Sequence, residues 1–199
     1  MKKTLFLDGQ HLTIEDVYQI AYSPPEEVEI RLSPEALPAI TRAAQAVERF
    51  VEEGQVVYGI TTGFGAFKDK IIPREEVRQL QKNILMSHAV GVGEPLDQPT
   101  VRAMILIRAN TLSQGHSGVR VETLEALLHL LNRGITPVVP AQGSLGASGD
   151  LAPLAHIALV LIGEGEAWYQ GELLSGREAL NRAGLKPITL EAKEGLALT

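Results

Sequence analysis

The sequence predicts a mainly α-helical protein with a few short strands. Three observations carry that prediction. Apolar residues recur at helical spacing over long segments near residues 37–51, 97–113, 121–133 and 151–162. Strand-like stretches are short and few, at Thr4–Leu7, Val28–Leu32 and Ala167–Leu174. Glycine and proline stand between these segments, where the chain must break.

Composition narrows the class. With 199 residues the chain suffices for one generous domain or one and a half. A hydrophobic content of 45% and a charged content of 21% are those of a soluble globular protein. The net charge of −6 offers no basic face to nucleic acid. There is no cysteine, so thiolate chemistry and disulfides are excluded, which suits a reducing compartment. The apolar run after Met1-Lys-Lys is too short for a signal peptide. No apolar segment approaches the roughly 20 residues of a membrane span. A cytoplasmic location is expected.

Along the chain, Thr4–Leu7 reads as a strand ending at Asp8-Gly9, and Thr13 caps a helix running to Ile20. Val28–Leu32 alternates like a half-buried strand. Ser33-Pro34-Glu35 supplies a cap, a proline and an acid, which opens a helix. Leu37, Ile40, Ala44, Val47 and Val51 line its buried face, and Gly54 ends it. Val56-Val57 reads as a strand before a glycine-rich loop, with Tyr58 as a half-buried aromatic. Pro73 opens a helix with Val77, Leu80, Ile84, Leu85 and His88 on one face. Helices follow at Asp97–Ser113 and Val121–Arg133, with Gly115-His116-Ser117-Gly118 between them. Pro137–Pro140 is extended, and Leu151–Ile162 is apolar all round, as a core helix is. His156 on that helix reads as a satisfied core histidine, with a catalytic role as the alternative. Ala167–Leu174 forms a hairpin, and Ser175 with Glu178 forms a capping box for a helix to Ala183. Glu191–Thr199 begins a further helix.

The stretch Gly143-Ser-Leu-Gly-Ala-Ser-Gly-Asp150 is the chain's most distinctive. Three glycines and two serines make a tight loop, and Asp150 is placed to cap the helix at Leu151, with Pro153 in its first turn. A structural turn is one use of such a loop. A phosphate cradle is a poor alternative, because no Lys or Arg lies between Arg133 and Arg177 and Asp150 repels an anion. Metal hydrolysis also fits badly: His11, His88, His116, His129 and His156 are scattered, with no i, i+3 or i+4 pair.

A third use rests on a resemblance. Ala147-Ser148-Gly149 followed by Asp150-Leu-Ala-Pro-Leu-Ala-His156 resembles the signature of the aromatic amino acid ammonia-lyases. Tyr58-Gly-Ile-Thr-Thr-Gly-Phe-Gly65 resembles their N-terminal active-site loop. The resemblance implies that Ala147, Ser148 and Gly149 cyclise to 4-methylidene-imidazol-5-one (MIO), an electrophile made from the chain itself, with no metal and no nucleotide. It implies that Tyr58 is a catalytic acid/base, that Asp150 assists ring formation, and that Ser87 and His88 contact the substrate's ring. Ser87-His88 is similar to the version found in members acting on L-histidine, which yield trans-urocanate and ammonia. Members acting on phenylalanine or tyrosine, and aminomutases, are the alternatives. The resemblance further implies an α+β N-terminal domain over residues 1–112, then the start of a large helical-bundle domain over 113–199. Family members assemble as homotetramers with small-molecule substrates, without nucleic acid or membrane. They run well beyond Thr199, so a truncated, inactive fragment is expected, with the apolar faces of Val101–Leu112 and Leu151–Ile162 exposed and prone to associate.

Overall fold

The computed structural model describes residues 2–65, 68 and 70–199. Ala66, Phe67 and Asp69, near the end of the Tyr58 loop, lie outside the described residues.

Strand β1 (Lys3–Leu7) and strand β2 (Val28–Leu32) pair in parallel, joined by helix α1 (Ile14–Tyr22). Thr13 caps α1 through a reciprocal box with Asp16. Two side chains finish this unit from a distance. The Asn132 amide donates to the Ile30 carbonyl and accepts the Ile30 N–H, both at 2.8 Å, which closes the open edge of β2. The buried Arg102 guanidinium donates to the carbonyls of Ile20, Ala21 and Ser23, where α1 leaves its last oxygens free.

Helix α2 (Leu37–Glu52) starts later than Ser33-Pro34-Glu35 suggests. Ser33 spends its hydroxyl on the Glu35 N–H and its carbonyl on the Ala36 N–H, making a turn instead of a cap. The strand expected at Val56-Val57 does not form. The Thr61 hydroxyl accepts the Val57 N–H at 2.8 Å and so curls the chain into turns. After Pro73 a single 3-10 turn over Arg74–Glu76 precedes helix α3 (Val77–His88).

Strand β3 (Val92–Pro95) follows, unforeseen because two residues of Val-Gly-Glu-Pro oppose strand structure. Helices α4 (Gln98–Ser113) and α5 (Val121–Arg133) form the centre of the molecule. Val101, Ile105, Leu106, Ala109, Leu124 and Leu130 are fully buried there. Strands β4 (Thr136–Pro137) and β5 (Pro140–Gln142) lead to helix α6 (Leu151–Leu161). The hairpin of β6 (Glu166–Tyr169) and β7 (Glu172–Ser175) pairs with β4 through β6. Helix α7 (Gly176–Arg182) is capped by Ser175, but the box is half-made: Glu178 turns to Arg182 instead. Helix α8 spans Glu194–Leu198, beginning three residues after Glu191.

The apolar faces of α4 and α6 are not exposed, contrary to expectation. Both pack into the main core with α3, α5 and α8, and Ala155 and Val160 of α6 are fully buried. No helix among the described residues is long and apolar enough to cross a membrane.

One buried carboxylate ties the last helix to this core. Glu194 accepts from five donors: the N–H, Nε and Nη2 of Arg120, the Thr123 hydroxyl and the Glu191 N–H. Its negative charge also sits at the N-terminal end of α5, where the helix dipole favours it. Glu194→Ala leaves Arg120 and Thr123 without their acceptor. We expect a loss of about 3 kcal/mol or more in urea unfolding, and a loss below about 1 kcal/mol, the worth of a single ordinary hydrogen bond, would contradict the role given to Glu194.

Candidate active site

The Ala147-Ser148-Gly149 tripeptide sits in a turn over residues 146–148. Ala147 and Ser148 are exposed, and Gly149 is half-buried. Gly149 has φ +82°, and a Cβ there would lie 2.5 Å from Ser144 Oγ. Only glycine fits that backbone and that space. The turn, the small residues and the unhindered Gly149 nitrogen suit a backbone that folds back on itself. The tripeptide therefore fits ring closure on stereochemical grounds.

Asp150 stands at the N-cap position of α6, but its side chain makes no capping bond. Its backbone is already near-helical, at φ −102° and ψ −13°, which aims the carboxylate away from the helix's first N–H groups. The expected cap is therefore absent, and the carboxylate is left for another partner.

Ser87 and His88 end α3. His88 Nδ1 lies 2.8 Å from the Ile84 carbonyl oxygen and 3.1 Å from Ser87 Oγ. A carbonyl can only accept, so Nδ1 carries the proton and donates. In the neutral ring, Nε2 is then left with the lone pair. Ser87 Oγ donates to the same Ile84 carbonyl at 2.9 Å, which fixes both side chains to the last turn.

Backbone contacts bring this helix end to the loop. Strand β3 pairs antiparallel with β5, placing Val92 opposite Gln142. A Cβ on Gly143 would fall 3.2 Å from Gly91 Cα, so the two chains touch with no side chain between them. His156 locks the contact from α6: its Nε2 accepts the Gly91 N–H at 3.1 Å. This is the core role expected for His156, and burial pushes its pKa down, keeping the ring neutral.

Tyr58 is more exposed than expected, at 62%. Its ring meets Phe64 edge-on with centroids 6.3 Å apart, and its hydroxyl accepts the Gly65 N–H at 3.4 Å. No hydrogen bond joins Tyr58 to the 147–150 loop among the described residues. The link is indirect and runs through α8. A Cβ on Gly59 would meet Leu196 at 3.2 Å, and one on Gly195 would meet the Gln81 carbonyl of α3 at 2.7 Å. Gln81 Oε1 accepts the Gly195 N–H at 2.9 Å. Thus α8 lies against both the Tyr58 loop and the helix that carries His88.

Sequence reasoning passed over Arg108. Its signal was its spacing: it falls on the face of α4 that carries Val101, Ile105 and Leu112, where a charge is out of place. Its Nη2 donates to the Ala197 carbonyl at 2.7 Å, and its Nε is buried without a partner. Among the described residues no group of three His, Cys, Asp or Glu is arranged to hold a metal.

A helical fold whose Ala-Ser-Gly loop begins against the chain that follows a Ser-His helix end matches a known class. The family model for aromatic amino acid lyases covers residues 12–199, and the chain belongs to that family. It is similar to a histidine ammonia-lyase of Chloroflexus aurantiacus, 59% identical over 197 residues, which span 99% of this chain and 38% of that protein. The crystal structure of histidine ammonia-lyase from Trypanosoma cruzi matches with a TM-score of 0.89 at 39% identity, covering 98% of this chain and 38% of that one. An ergothioneine-degrading ergothionase from Treponema denticola matches with a TM-score of 0.92 at 36% identity, over 99% of this chain and 39% of that one.

His156 sets a pH dependence. Its folded pKa lies below its ordinary value of 6.5, so the unfolded chain takes up the proton first as pH falls. Its contribution to stability is therefore complete above about pH 6.5 and shrinks as the pH drops towards the folded pKa. An NMR titration is expected to place the His156 midpoint below that of a free imidazole, with the Gly91 amide resonance moving in step. A midpoint at or above the free value would contradict the contact.

Proposed function

We propose that this chain is the N-terminal part of a histidine ammonia-lyase, converting L-histidine to trans-urocanate and ammonia. The observation that carries the proposal is the contact of Gly91, three residues past His88, with Gly143 at the start of the Ala-Ser-Gly loop. The 59% identity to a histidine ammonia-lyase supports it. Because the chain spans 38% of that relative's length, the activity is proposed for the protein at the relatives' full length.

Elimination of ammonia is hard on two counts: the amine leaves poorly and the β-proton is weakly acidic. The MIO ring, formed from Ala147, Ser148 and Gly149, supplies an electrophile that ordinary side chains do not. The N-terminus of α6 favours negative charge on that ring. Tyr58 is the proposed acid/base, exposed enough to reach a substrate and held at its hydroxyl by the Gly65 amide. His88 Nε2 accepts the N–H of the substrate's imidazole, and Ser87 holds the Nδ1 side. A phenyl ring leaves that acceptor unpaired, which discriminates against it. Residues 1–112 with the Tyr58 loop, and 113–199 with the ring-forming loop, are proposed as parts of two domains. A cytoplasmic homotetramer, acting on a small molecule without nucleic acid or membrane, completes the proposal.

Urocanate formation by the full-length protein tests it. Ser148→Ala is expected to drop turnover to background. His88→Leu is expected to lower kcat/KM for histidine by about 10- to 100-fold, the worth of one or two hydrogen bonds. Undiminished turnover in the Ser148→Ala protein would overturn the mechanism. Undiminished kcat/KM with His88→Leu would remove the case for histidine alone. Residues 1–199 by themselves are expected to release no ammonia.

A further inference from the structure

Tyr58 is held differently from the main chain that carries it. The N–H groups of Val57 and Gly59 donate to the hydroxyls of Thr61 and Thr62, at 2.8 and 3.3 Å, and Ile60 is buried. The backbone on either side of Tyr58 is therefore fixed. Its ring is not: the residue is 62% exposed, and its hydroxyl takes only the long hydrogen bond from the Gly65 N–H, at 3.4 Å, among the described residues. A phenol on two free torsions sweeps its oxygen through a wide arc, and proton transfer tolerates little misplacement.

Phe64 meets that ring edge-on, with centroids 6.3 Å apart and planes at 74°. This is a favoured arrangement for two aromatic side chains. Phe64 itself stands on a firm support. The Gly63 N–H donates to the Lys70 carbonyl at 3.0 Å, and the Ile72 N–H donates to the Thr61 carbonyl at 2.9 Å. The half-buried Phe64 ring packs against the main core, as Leu196 of α8 does. Gly59, at φ +73°, keeps a small space open beside both. A Cβ there would lie 3.3 Å from Phe64 Cε1 and 3.2 Å from Leu196 Cδ2, so the two side chains border the same gap.

We propose that Phe64 is a positioning residue for Tyr58: its ring fixes the direction in which the phenol points, and Leu196 bounds the space into which Phe64 could otherwise shift. This rests on the reading of Tyr58 as the acid/base of the reaction. No bond to Phe64 forms or breaks. The proton passes at Tyr58 Oη alone, and Phe64 acts by narrowing the arc which that oxygen can sweep. A side chain that carries chemistry needs its orientation locked by the packing behind it. Such locking favours the geometry of proton transfer without adding a contact to the bound substrate, so it raises kcat and leaves KM alone.

The test measures urocanate formation from L-histidine by the full-length protein. Phe64→Leu keeps an apolar side chain beside Gly59 and removes the ring. It is expected to lower kcat about 3- to 10-fold, the worth of one edge-to-face contact, with KM unchanged. Phe64→Tyr keeps the ring and is expected to retain more of the parent's kcat than Phe64→Leu does. In a Tyr58→Phe background, Phe64→Leu is expected to cost nothing further, because no phenol is left to aim. Should Phe64→Leu fold poorly, Leu196→Ala carries the measurement: kcat falls, KM holds, and the effect again vanishes without the Tyr58 hydroxyl. A parent-like kcat in Phe64→Leu, equal losses in Phe64→Leu and Phe64→Tyr, a rise in KM in place of a fall in kcat, or a further loss in the Tyr58→Phe background would overturn the role given to Phe64. Parent-like turnover in Tyr58→Phe alone would instead overturn the reading of Tyr58 as the acid/base.

Discussion

The buried Glu194 carboxylate is the point at which the start of α5 and the segment carrying α8 become one object. Its oxygens take the Arg120 guanidinium and amide, the Thr123 hydroxyl and the Glu191 amide, with the carboxylate and Thr123 both shut away from water. Such a group holds its surroundings strictly, since a buried charge that loses any partner has no solvent to fall back on. Helix α8 is only five residues long and would not persist alone. Clamped by Glu194 it becomes a wedge, with Leu196 against the Tyr58 loop, Gly195 against α3 and the Ala197 carbonyl on Arg108. The candidate site is thus assembled by a helix that contributes none of its proposed catalytic groups.

The architecture divides the labour between backbone and side chains. The spacing between the Ser87-His88 end and the Ala-Ser-Gly loop is set by main chain: the β3–β5 pairing and the Gly91–Gly143 contact. Chemistry is left to side chains that project from these rigid supports, as site geometry requires. His156 shows the division well. Its imidazole is spent on the Gly91 N–H, and its burial keeps it neutral enough to accept.

Much of this was legible in the sequence. The periodicity of α4, α5 and α6 announced core helices, and Thr13 and Ser175 were readable as caps because a cap is a local contest between one side chain and a few amides. The Ala-Ser-Gly-Asp stretch made the family legible through its resemblance. What stayed hidden depends on contacts remote in sequence. Strand β3 carries Gly93 and Pro95 and exists because β5, some forty-five residues later, pairs with it. The capping promise of Asp150 failed because ψ at that residue aims its carboxylate away from the helix, which no composition reports. The promise of Ser33 failed because its hydroxyl was claimed by a nearer amide. The expected exposure failed because α1 and α5 cover α4 while α3 and α8 cover α6, and Gln81 joins α3 to α8.

The close approach of Gly91 and Gly143 has a bearing on how such proteins diversify. Where two main chains lie in direct contact, the gap between them is a constant of covalent geometry, indifferent to which side chains are carried elsewhere. Under the proposed function, the helix end bearing residues 87 and 88 can then be rewritten for a different aromatic ring without disturbing the spacing to the Ala-Ser-Gly turn. On that reading selectivity is a replaceable fitting on a fixed gauge, held by an unaltered scaffold.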